Sequence, residues 1–129
     1  MLKEKTQMNK HTAEWAVERN YFDVAISRYY YSMLQKMLYL ANRKNYVCPS
    51  GKDSHVELYN YLISNFKLAP EQLRALSNFR KLKDIRKKAD YEELLHTKTV
   101  FEKTFLYHYN PIDNVLNKVI EREEKNGCK

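Results

Sequence analysis

Glycine occurs twice and proline three times in 129 residues. Tight turns and hairpins draw on both residue types, so their scarcity argues against an all-β fold. The two cysteines, Cys48 and Cys128, stand far apart and outside any CxxC or Cys/His cluster, so no zinc site is expected. A chain of this length needs neither a disulfide nor a metal to hold its core. No run approaches the roughly 18 consecutive apolar residues of a membrane span. The N-terminus lacks the apolar run of a signal peptide. There is no HExxH, no Gly-rich phosphate loop and no GxSxG, so the common hydrolase, kinase and dehydrogenase types are not expected, nor is a cofactor. A reducing cytoplasm is the natural compartment.

What is abundant points one way. Lys, Leu, Glu, Asn and Tyr dominate, and long stretches run without breakers. The reading is an all-α fold, an up-and-down bundle of four to five helices. Residues 1–129 make one domain, with a core over about 13–120 and a loose charged tail. The first helix covers about 4–19, with Met8, Trp15 and Ala16 on its apolar stripe. The second, about 22–44, is the clearest: Phe22, Ala25, Ile26, Tyr29, Tyr30, Met33, Leu34, Met37, Leu38 and Ala41 recur at three- and four-residue spacing. Few charges interrupt it, so it is predicted to be the central helix. Asn20 or Asp23 is expected to cap it. The third helix starts near Ser54, a capping residue with Glu57 three positions on. The fourth opens at Pro70 and runs past Ile85. The last region, about 97–125, is expected to break or kink at Pro111.

The formal charge is +7 and the pI near 9.3. A basic surface attracts polyanions or an acidic protein neighbour. Six of the nine residues from Arg80 to Lys88 are basic, and Asp90 and Tyr91 follow. Arg80, Lys83 and Lys87 line one side of their helix and are candidates to dock RNA or a partner. Arg28 lies mid-helix in "AISRYYYSML", where a charge must reach water or find a partner. Asp90 is the favoured partner, and Arg28, Tyr30 and Asp90 are the expected walls of a central cleft. Arg86 and Asp90 are also neighbours on one helix face. Tyr29, Tyr30 and Tyr31 sweep about 200° of the helix, so they cannot all face one core. His55 reads as a surface histidine at a helix start, able to meet an anion.

The run "YFDVAISRYYYSMLQKMLYL", then "SHVELYNYLISNF", then "LKDIRKKADYEELL" resembles the small prokaryotic HEPN domains, in the branch with SR-x-YY and R-x-x-ADY signatures. The resemblance covers about residues 13–125. It implies a helical bundle, a homodimer, and membership of defence or toxin–antitoxin modules, where some members are metal-independent ribonucleases and others act beside a nucleotidyltransferase.

The family's catalytic signature is Arg, four to six residues, then His, and no histidine here has that spacing. With Arg86 in the Arg position, Tyr91 stands where the shortest form of the motif has His. Metal-free RNA cleavage needs a base near neutral pH, which imidazole supplies and a phenol near 10 does not. Two functions follow. The chain is a binding module acting on RNA, a nucleotidyltransferase partner, or both; or it is an endoribonuclease with Arg86 and Tyr91 at the site and its base unassigned. A stand-alone nucleic-acid-binding protein is the third.

Overall fold

The computed structural model describes residues 2–48, 53–91 and 96–127. The fold is all-α. The helices are α1 (Leu2–Glu18), α2 (Phe22–Asn42), α3 (Ser54–Asn65), α4 (Pro70–Leu76), α5 (Phe79–Tyr91), the short α6 (Lys98–Val100) and α7 (Leu106–Gly127), with a π-helical turn at Phe101–Phe105 between the last two. Among the described residues there is no strand.

Helix α2 is the centre, as its periodicity predicts. Its buried residues, from Phe22 to Ala41, point to several sides, and α1, α3, α5 and α7 all pack against it. One apolar core joins Ile26, Met33, Met37, Leu62, Phe79, Leu82, Phe105 and Leu116.

Helix α1 departs from the expectation. Met8 and Trp15 are exposed, whereas Ala16 is buried as expected and Ala13 is buried with it. The cause is close approach: the buried Ser32 hydroxyl of α2 donates to the Thr6 carbonyl at 3.1 Å, and Asn9 donates to Gln35. A backbone that near admits only small side chains between the helices.

Several helix ends also differ. Tyr21, not Asn20 or Asp23, is the N-cap of α2, and no side chain caps it. Asn20 closes α1 with φ of 61°, a conformation asparagine tolerates better than most residues. The N-cap of α3 is Asp53 rather than Ser54. The helix expected from Pro70 past Ile85 is two, because Ser77 turns its hydroxyl onto the Arg74 carbonyl at 2.6 Å and the chain bends through Asn78.

Pro111 does not break α7, which continues to Gly127. Pro111 and Tyr107 are both exposed, so water can serve the Tyr107 carbonyl that the missing N–H leaves free. The charged tail expected to be loose is helical through Gly127, and Cys128 lies outside the described residues.

Candidate functional site

Helix α5 carries the basic run, and its packing sorts those charges. Phe79 and Leu82 anchor it in the core, and the same turns carry Lys83 and Arg86 inward. Arg86 is only 5% exposed. Its guanidinium lies over the Tyr30 ring, 4.9 Å from the centroid, and 5.7 Å from that of Tyr31. Such faces attract a desolvated cation. Asp90, one turn on, meets Arg86 Nη1 at a long 3.5 Å. Among the described residues Arg86 Nε is buried with no hydrogen-bond partner, while the guanidinium as a whole is within hydrogen-bonding reach of Tyr30.

Tyr30 is fully buried, and its hydroxyl meets His55 Nδ1 at 2.8 Å. Burial pushes the Tyr30 phenol well above its usual range, with Arg86 opposing, so the phenol stays protonated. Its hydrogen needs an acceptor, and His55 Nδ1 is the acceptor at hand. Tyr30 therefore donates, and the imidazole carries its hydrogen on Nε2. Burial lowers the His55 pKa, and the positive charges of Arg86, Lys83 and Lys87 lower it further against the pull of Asp53. His55 is therefore neutral at pH 7, with an N–H to offer.

The first turn of α3 holds His55 in place. Asp53 Oδ1 accepts from the His55 and Val56 amides at 3.0 and 3.2 Å. Its other oxygen accepts from Lys83 Nζ at 2.8 Å. Asp53 thus links the start of α3 to α5. The result is one cluster of Arg86, Lys83 and Asp90 from α5, Tyr30 and Tyr31 from α2, and Asp53 and His55 at the head of α3. Each cation in it has a carboxylate partner, Lys83 with Asp53 and Arg86 with Asp90, and a neutral imidazole N–H lies beside them.

The structure brings together Arg86, Tyr30, Asp90 and Lys83 from the residues expected on sequence grounds. Lys83 is not on a solvated docking face, however: it is 9% exposed and engaged by Asp53. Arg80 and Lys87 are exposed. The expected Arg28–Asp90 ion pair is absent. Arg28 is exposed and donates to Asn9 at 3.3 Å, whereas Asp90 pairs with Arg86. The reason is angular: two residues along a helix is about 200°, so Arg28 points away from the Tyr30 side. Arg28 and Asp90 nonetheless line one shallow surface depression with Asp23, Ser27 and Ala89. Tyr91 is 78% exposed, and no described hydrogen bond, ion pair or ring contact joins it to Arg86.

Sequence reading placed His55 at a helix start as a surface histidine able to meet an anion; it is half-buried instead, and its contact with Tyr30 was not foreseen. The "SHVELYNYLISNF" segment is part of the family resemblance, but its imidazole meets Tyr30 across 25 residues and two helices. His96 is elsewhere, with Nδ1 on Asp23 at 2.6 Å. Among the described residues no three His, Cys, Asp or Glu side chains converge as metal ligands, and no helix is long and apolar enough to cross a membrane. No family model, no curated protein and no solved structure matches the chain.

Proposed function

We propose that this chain is a HEPN-like helical protein that binds RNA through the Arg86–His55–Tyr30 cluster, as a component of a prokaryotic defence or toxin–antitoxin module. The observation that carries the reading is the 2.8 Å contact between Tyr30 Oη and His55 Nδ1, beside a buried Arg86 with an unpaired Nε. It supports a cluster with positive charge at the head of α3, and the exposed Arg80 and Lys87 extend the positive surface along α5. A nucleotidyltransferase partner and a homodimer rest on the sequence resemblance alone.

One observation favours a second reading, the ribonuclease. The depressed pKa of His55 keeps its imidazole neutral, as a general base must be. In the other tautomer Nδ1–H would donate to Tyr30, and Nε2 would take the proton of a ribose 2′-hydroxyl. That oxygen bonds to phosphorus, the P–O5′ bond breaks, and the leaving oxygen takes a proton from water. Arg86 would stabilise the charge on the phosphorane.

Binding and cleavage of a labelled single-stranded RNA by the intact protein, in chelator, separate the readings. The expected result is salt-sensitive binding that falls at least about tenfold in Arg86→Met, with the RNA uncut. Cutting that disappears in His55→Gln establishes the ribonuclease instead. Binding that Arg86→Met leaves unchanged removes RNA from this site.

A further inference from the structure

A cavity of about 580 Å³ opens between α1 and α7, with α2 as its floor. That volume is in the range of a small-molecule site. Lys10, His11 and Glu14 line it from α1, Lys36 from α2, and Asn117 and Ile120 from α7. None of its lining residues belongs to the Arg86 cluster.

Lys10 and Glu14 are four residues apart, so they share one face of α1. They do not neutralise each other. Lys ahead of Glu at this spacing runs against the helix dipole and is the weaker order of the two. Both are exposed, and among the described residues neither has a hydrogen bond or an ion pair. An open cation and an open carboxylate therefore stand one turn apart on a single wall. The floor adds a third group. The Lys36 side chain is only 12% exposed, and its ammonium carries three N–H donors. Asp113 is the one partner described for it, so an oxygen lodged in the cavity can take another. Across from α1, Asn117 offers an amide that both donates and accepts, and the half-buried Ile120 offers apolar surface.

We infer that this cavity binds a small zwitterion of the amino-acid kind, a free amino acid or a dipeptide with an apolar side chain. Its carboxylate lies against Lys10 and Lys36, its ammonium against Glu14, and its side chain against Ile120. A simple anion would meet a like charge in Glu14, and a simple cation would meet one in Lys10. A molecule with both charges satisfies both. The site is independent of the Arg86 cluster and of the RNA reading.

Amide NMR titration of the intact chain, with L-leucine and alanylleucine as probes, tests this. Tighter binding of one of them names which kind the cavity takes. Acetylating the ammonium of the better probe, or converting its carboxylate to an amide, is expected to weaken it at least about tenfold, since each cap removes a charge-assisted hydrogen bond. Glu14→Gln should cancel the penalty of the acetyl cap, and Lys10→Gln that of the amide. Both positions lie on the helix surface, where substitution leaves folding intact, and the capped probes make the same comparison on the wild-type chain. No shift at Lys10, Glu14 and Asn117 with either probe at millimolar concentration overturns the inference. So does equal binding of capped and uncapped forms, or binding that both glutamine variants leave unchanged.

Discussion

Two inward-facing ion pairs in this molecule are built in opposite ways. Lys36 of α2 and Asp113 of α7 are in direct contact across 77 residues of sequence, with side chains 12% and 11% exposed. Each answers the other's charge, and the pair ties two long helices together. Arg86 and Asp90 sit one turn apart on the same helix, at 3.5 Å, with the guanidinium held mainly between tyrosine faces and one nitrogen left over. The first pair is complete, and Lys36 also borders a surface cavity with Lys10, His11 and Tyr39. The second is looser, and the guanidinium depends on the tyrosine faces as much as on Asp90.

That contrast can be broken at three points. The largest effect is expected at Asp113→Ala, which strands the Lys36 ammonium in the helix interface. Removing one partner of a buried pair costs about 3 kcal/mol or more, and urea melts should show it. Arg86→Met also removes one partner of a pair, but the Asp90 side chain is 24% exposed and meets Arg86 only at 3.5 Å, so the carboxylate it leaves can reach water and the loss is expected to be smaller, about 1–2 kcal/mol. A loss as large as that of Asp113→Ala would make Arg86 a structural residue of the same kind as Lys36.

The smallest effect concerns pH. The folded-state pKa of His55 lies below its ordinary value of 6.5, so as pH falls the unfolded chain takes up the proton first. The stability His55 contributes is therefore whole above about 6.5 and is lost as pH falls from there toward the folded pKa. His108, whose pKa burial and Lys81 also lower, adds a slope of the same sign. His55→Gln should flatten the dependence, and Arg86→Met should raise the His55 pKa in an NMR titration. An unmoved imidazole would mean that Arg86 does not govern it.

Much of the fold was legible because helical periodicity reports which face is buried. Helix α2 is the clearest case, with apolar residues at nearly every third or fourth position. Helix α1 was misread at Met8 and Trp15 but not at Ala16, because a stripe reading weighs hydrophobicity, whereas a close helix contact selects for size. Pro111 looked like a break because local rules weigh a lost hydrogen bond, not where the orphaned carbonyl points. At the site, Arg86 and Asp90 were legible as neighbours, since i and i+4 on one helix meet wherever the helix goes. His55 was not. Its value comes from Tyr30, and nothing in one chain's sequence states that the head of α3 meets the middle of α2. The Arg28–Asp90 expectation failed on angle, because Tyr30, two residues on, already occupies the direction that faces α5.

The π-helical turn and Pro111 fall within about ten residues of each other, and each departs from the regular α-helical hydrogen-bond pattern. A ladder of rings runs along this stretch: Phe101 on Phe105, Phe105 on Tyr109, and Tyr29 against Phe101 and Tyr109. Stacked rings therefore carry at this corner part of the hold that regular helix supplies elsewhere.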